Sequence, residues 1–152
     1  MHDPAYFMRR ALMQASIGAR QDEVPVGAVI VKDGVIVARA HNEKEKKGCA
    51  NEHAEMIAIR RACRKLGDWR LEDCDIYVTL EPCPMCAGAL IQARIRKIYF
   101  GAYDPKAGCC GSLYNLPADK RFNHRPAVEG GILQQDCAQI LSAYFREKRR
   151  KS

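Results

Sequence analysis

The chain has 152 residues, enough for one domain (1–152) with a substantial core, and its 47% apolar and 28% charged residues are the balance of a soluble globular protein. No apolar run approaches the roughly 20 residues of a membrane span. The net charge of +7 favours an anionic partner, with nucleic acid first.

The opening residues Met1–Arg10 are polar and mixed, so no export signal is expected. Asp3-Pro4 reads as a helix start, with Asp3 as the cap and Pro4 in the first turn. Met8, Leu12, Ala15 and Ala19 then recur at helical spacing, and Gln21-Asp22-Glu23 closes the helix. Val26–Val31 and Val35–Ala40 are β-branched runs around Asp33-Gly34, a hairpin signal. Residues 42–51 form a polar, lysine-rich loop. A second helix begins near His53, apolar nearly all round at first and basic at Arg60, Arg61, Arg64 and Lys65. It therefore starts deep and ends at the surface.

Asp75–Leu80 reads as a strand running into Glu81-Pro82-Cys83. Pro84 suits the first turn of a third helix reaching about Arg94. Lys97–Ala102 is a fourth strand. From Tyr103 to Asn123 only turn residues recur, and a loop of that length in a compact domain is usually functional or disordered. A short strand is expected within Ala127–Leu133. Cys137, Ile140, Leu141, Tyr144 and Phe145 form the stripe of a last helix that ends in a basic run. Alternating strands and helices predict an α/β fold: one mixed sheet, partly antiparallel, with helices on both faces. Eight cysteines in a chain with no export signal and no need of staples are expected to be reduced thiols, as in a cytoplasmic protein.

Most of the chemistry lies in His53-Ala54-Glu55 and Pro82-Cys83-Pro84-Met85-Cys86. One imidazole (His53) and two thiolates (Cys83 and Cys86) supply three zinc ligands. A catalytic zinc site keeps its fourth position open for water, whereas a structural site is closed. Both motifs fall at expected helix starts, where the positive dipole end stabilises thiolates. Glu55 is then free to carry protons between water and substrate. His-x-Glu alone is weak and Pro-Cys-x-x-Cys alone is moderate. In this order they are the signature of zinc-dependent nucleobase deaminases. A closed zinc site would need a fourth ligand, for which Cys49, Cys109 and Cys110 are the candidates, and would leave Glu55 without a role.

Further segments extend the pattern: Glu23-Val24-Pro25-Val26-Gly27-Ala28-Val29, Ala40-His41-Asn42, Trp69-Arg70-Leu71, Tyr77–Cys83, Phe100-Gly101-Ala102, Gly111-Ser112-Leu113, Phe122-Asn123-His124-Arg125 and Phe145-Arg146. With the two motifs they resemble, over nearly the whole length, the bacterial tRNA-specific adenosine deaminases of the TadA type. The resemblance implies the cytidine-deaminase-like fold, a three-layer α/β/α arrangement around a mixed five-stranded sheet. It implies one Zn2+ per subunit on His53, Cys83 and Cys86, with Glu55 as the catalytic proton shuttle. Asn42 would bind the extruded nucleoside, and Val26, Gly27 and Ala28 would line the base pocket. Asp104, Lys106, Asn123 and Phe145 would contact flanking nucleotides of the anticodon stem-loop. The implied reaction turns adenosine at the wobble position of an arginine tRNA into inosine, with release of ammonia, by a cytoplasmic homodimer.

Taken singly, several of these residues have plainer readings. Asn42 ends a strand, Asp104 before Pro105 starts a turn, and Lys106 is an exposed lysine. Val26, Gly27 and Ala28 are strand core, with Gly27 marking a close backbone approach. Trp69 reads as core. Phe145 lies on the apolar stripe, so core packing is its default, though a partly exposed ring near the helix end could also reach substrate. Cys63, Cys74 and Cys137 read as small buried apolar residues. Asn51-Glu52 stands where Thr-Ala is common, placing an extra carboxylate either at the pocket or in water. Pro84 stands where Val is frequent and also occurs in guanine and cytosine deaminases. A deaminase of a free base or nucleotide is therefore the second reading, and a non-catalytic zinc-stabilised RNA-binding protein the third.

Overall fold

A computed structural model describes residues 2–151. Helix α1 (Pro4–Arg20) starts as the sequence predicts: the Asp3 carboxylate accepts the Tyr6 N–H at 3.0 Å and Pro4 occupies the first turn. Strands β1 (Gly27–Lys32) and β2 (Val35–His41) form an antiparallel hairpin. Its tight turn puts Asp33 and Gly34 at φ 52° and 75°, the left-handed pair of a turn matched to strand twist. The polar loop that follows contains one short helix, α2 (Lys44–Lys47), which the lysine-rich composition does not reveal.

Helix α3 (Ala54–Leu66) leads to β3 (Cys74–Leu80), α4 (Pro84–Gln92) and β4 (Lys97–Ala102). A 3-10 turn at Leu116–Ala118 interrupts the long loop, then β5 (Ala127–Glu129) and α5 (Gln134–Lys151) close the chain. The strand order is β2-β1-β3-β4-β5. β1 lies antiparallel to both β2 and β3, whereas β3, β4 and β5 run parallel. The β3–α4–β4 crossover forces the parallel pairing, because a hairpin turn cannot join parallel neighbours. This is the mixed, five-stranded α/β architecture expected.

Residue alternation on β1 separates the two faces. Val26, Ala28 and Ile30 pack with α3 and α4 residues such as Ala54, Ile57, Ala58, Ala87 and Leu90. Val29 and Val31 face the other way, against Phe7, Met8 and Ala11 of α1 and Cys137 of α5. One-residue alternation thus sends neighbours of a single strand into two cores.

One apolar reading is overturned and another is settled toward its exposed alternative. Trp69 is 53% exposed and lies under the Arg70 and Arg94 guanidiniums, at 4.5 and 6.0 Å from its ring centre. The turn after α3 presents it to solvent, where cation–π contact replaces core packing. Phe145 is 43% exposed near the end of α5, whose buried residue is Cys137, close to its start.

Gly27 is where α1 crosses β1 most closely. A Cβ there would collide with the Ala11 carbonyl, the Ala15 amide nitrogen and Gln14 Cβ. Two of those obstacles are helix backbone, which does not rotate away. Gly27→Ala is expected to lower stability by about 1–3 kcal/mol or more. Urea unfolding checks it, and an unchanged midpoint would show that α1 has room to move.

Candidate metal centre and cavity

His53 and Cys83 hold equivalent places. Each is the extended residue before a helix, with φ, ψ of −78°, 153° ahead of α3 and −75°, 176° ahead of α4. Cys86 lies one turn into α4. Its Sγ is 3.5 Å from His53 Nδ1, and Cys83 Sγ is 3.6 Å from the same nitrogen. A tetrahedral ion with bonds of about 2.3 Å to sulfur and about 2.0–2.1 Å to nitrogen requires nitrogen–sulfur separations of about 3.5–3.6 Å. The donors therefore stand at the spacing a tetrahedral metal needs.

Among the described residues, His53, Cys83 and Cys86 are the one group of three or more His, Cys, Asp or Glu side chains whose donor atoms converge, all within 4.8 Å. The three cysteines considered as a fourth ligand are outside it. Cys49 is exposed, Cys109 directs its thiol at the Ala107 carbonyl, and Cys110 is buried elsewhere in the core.

The three donors share their protons unevenly. The hydrogen bond from Cys86 and, next to it, His53 hold the Cys83 thiol down at about 4 against the opposing effect of burial. Cys86 is pushed up, first by that same hydrogen bond and then by burial. His53 is raised by its bond with Cys83. Glu55, 4% exposed on the first turn of α3, is pushed up to about 7 by burial, and the neighbouring Cys83 charge adds to the effect. A carboxyl poised there can both take and give a proton near neutral pH.

A cavity opens above these residues. His53, Glu55 and Cys83 form one part of its lining, Glu23, Val24 and Val26 another. Asn42, Lys44 and Glu45 after β2, and Leu80, Glu81, Asp104 and Ala107 from the ends of β3 and β4, complete the lining. Asn42 Oδ1 accepts the Ala54 N–H at 2.8 Å, so its side chain ties the end of β2 to the start of α3. That bond satisfies one of the orphan donors of a helix N-terminus. Glu52 does not face the cavity. It pairs with Arg60, which lowers its carboxyl below the usual range.

Of the residues expected to bind substrate, Val26, Asn42 and Asp104 reach the cavity wall. Gly27 and Ala28 do not: strand alternation turns Gly27 toward α1, and Ala28 lies fully buried beneath α3. Lys106, Asn123 and Phe145 are exposed outside it. Asp104 Oδ1 accepts the amides of Lys106 and Ala107, so it is also the turn initiator that composition suggests.

Two residues were passed over by sequence reasoning. The buried Glu23 accepts the amides of Glu45 and Lys46 at 3.0 and 2.7 Å and fixes α2. Glu81 is 2% exposed and accepts the amides of Asp104, Cys110 and Ser112 and the Ser112 hydroxyl. Burial acts to raise its carboxyl, but these bonds outweigh it and hold the group below its usual range. Each sits in a quoted segment, yet nothing in the spacing shows that a remote loop turns its amides toward it.

The chain matches the family model described as MafB19-like deaminase over residues 2–149. It is 51% identical over 145 residues to a tRNA-specific adenosine deaminase of Bacillus subtilis, covering 95% of this chain and 90% of that protein. It is 45% identical to the protein of the same name from Streptococcus pyogenes serotype M18, covering 99% and 95%. A solved structure from work on A-to-I editing by tRNA:A34 deaminases at the wobble position superposes with a TM-score of 0.86 at 44% identity, covering 90% of this chain and 99% of that one.

The Asn42 tie yields a separable outcome. Asn42→Ala leaves a donor of α3 unpaired and should cost about 1–3 kcal/mol of stability. Asn42→Asp keeps the acceptor and should retain most of it. Denaturant melts of the two variants compare them, and equal losses would show that the bond is not what matters.

Proposed function

The chain belongs to the tRNA-specific adenosine deaminases, and we propose on that footing that it replaces the exocyclic amine of a tRNA wobble adenosine by oxygen, giving inosine and ammonia. The observation that carries the reading is the three-donor group at tetrahedral spacing, with the buried Glu55 lining the same cavity. The donor set of one imidazole and two thiolates suits zinc, and His53, Cys83 and Cys86 are the residues that would hold it. Bound zinc supplies Lewis acidity and lowers the pKa of water to about 7.

The protein's own groups do the rest. Glu55 takes a proton from the attacking water and delivers it to the ring nitrogen beside the amine-bearing carbon, which makes that carbon electrophilic. Oxygen bonds to carbon as the ring double bond opens. Glu55 then carries the second proton to the amine, which leaves as ammonia while the carbonyl forms. Its elevated pKa suits this double duty, since neither protonation state is strongly disfavoured. Asn42 orients the nucleoside from one wall, and Val26 packs against the base. Lys106, Asn123 and Phe145 meet flanking nucleotides, a role their exposure outside the cavity supports.

An adenosine in a tight RNA loop is already partly unstacked, so extruding it costs less than from a duplex. The positive charge of the chain supplies attraction that weakens with salt. An arginine tRNA as substrate, and a homodimer spanning its anticodon stem-loop, are the finer parts of this reading and rest on the family resemblance.

Incubation with tRNA followed by sequencing should show an A-to-G change at the wobble position. Ammonia release from free guanine or cytosine, with tRNA unchanged, would sink the reading in favour of a free-base enzyme. Glu55→Ala should keep stoichiometric metal and lose about 100- to 10,000-fold in turnover. Full activity in that variant would remove Glu55 from the chemistry. Chelation should lower the unfolding midpoint, and zinc at about 100 times its dissociation constant should return about 2.7 kcal/mol. Melting curves insensitive to both treatments would show that these donors hold no zinc.

A further inference from the structure

Glu81 stands two residues before Cys83 at the end of β3. It is buried, and no lysine or arginine pairs with it among the described residues. Its carboxylate is neutralised by the loop after β4. Oε1 accepts the Asp104 amide at 3.0 Å and the Ser112 hydroxyl, and Oε2 accepts the Cys110 and Ser112 amides at 3.0 and 2.9 Å. The loop is drawn over the carboxylate so tightly that a Cβ on Gly108 would collide with both carboxylate oxygens. A second tie runs alongside, where the Cys109 amide donates to the Pro82 carbonyl at 2.9 Å. The same loop supplies Asp104 and Ala107 to the cavity wall.

A charged acceptor gripped by several amides is stronger and more directional than neutral bonds. It is also an all-or-none fit. An amide in place of the carboxylate presents N–H to backbone amides that can only donate. The Ser112 hydroxyl can turn to accept, but with the amide in either orientation at least one backbone N–H meets another donor. The loop then gains by swinging away from the strand. It moves Asp104 and Ala107 with it, while the metal-ligating side chains remain anchored on their own helix starts.

Resting on the deaminase reading above, we infer that Glu81 is a positioning residue: it clamps the Asp104–Ser112 loop to the end of the strand that runs into the cysteine ligands, and so sets the wall against which the RNA is held. Both of its oxygens are taken up by the loop's donors, so although it lines the cavity beside Asp104 and Ala107 it acts by holding those two in place. Gly108 belongs to the same device, because only a residue without a side chain lets the loop close on the carboxylate.

The test compares wild type with Glu81→Gln, Glu81→Asp and Gly108→Ala on an anticodon stem-loop, with metal content measured for each. Glu81→Gln should raise KM by about 10-fold or more with kcat within about 3-fold, the signature of lost uniform binding. Glu81→Asp, which keeps the charged acceptor, should recover much of that loss. Gly108→Ala should resemble Glu81→Gln. Hydrogen exchange at the Cys110 and Ser112 amides should quicken in Glu81→Gln while exchange in β3 stays slow.

A fall in kcat at constant KM, loss of metal, no rescue by Glu81→Asp, or quickened exchange throughout the sheet would each overturn the assignment. The exchange measurement needs no turnover. A wild-type protein that leaves the stem-loop unedited would therefore overturn the deaminase reading, while Cys110 and Ser112 exchange still decides for or against the clamp.

Discussion

His53 before α3 and Cys83 before α4 bring two helix N-termini to one point, and most of the surrounding structure serves that meeting. Positive helix ends favour thiolate over thiol, and a dipositive ion between two thiolates leaves the site nearly neutral. Such a site tolerates burial that an unbalanced charge would not. The sheet makes the meeting possible. α3 starts at the crevice and leads away from it to the start of β3, and β3 returns the chain to the crevice, where α4 begins. In open α/β sheets that end is where ligands bind.

Two buried glutamates beside this centre show how surroundings divide one side chain into two roles. Glu55 is buried beside His53 and Cys83 without the set of donors that Glu81 has on its carboxylate, so burial raises its carboxyl to about 7. Glu81 is enclosed by N–H and O–H donors, so it stays charged. The first has protonation states close in energy, as a proton carrier requires. The second has one state only, as an anchor requires. Glu23, in the same cavity lining, repeats the anchor by holding the amides of α2. The cavity is therefore lined in part by two loops, each tied down by a carboxylate.

Periodicity and punctuation were enough for every long element. Asp3-Pro4, Asp33-Gly34 and Pro84 each mark a boundary because the backbone chemistry at those positions admits few alternatives. The converging His53, Cys83 and Cys86 group was legible for a similar reason, since few residue types can bind a metal and their order is distinctive. Burial of large residues near helix ends was less legible. Trp69 and Phe145 are apolar by type, yet both stand partly in water, because nothing in the local sequence says where the sheet beneath them stops.

The sequence by itself determined the elements, the donor set and the kind of chemistry those donors support, because each depends on residue type and short spacing. Only the tertiary structure decided that Gly27 faces α1 and Ala28 the core, and that Glu52 turns to Arg60. It alone brought the Asp104–Ser112 loop down onto Glu81. Those outcomes depend on which surfaces meet across many intervening residues. A hydrogen bond between a strand end and a distant loop leaves no periodic trace in the chain that makes it.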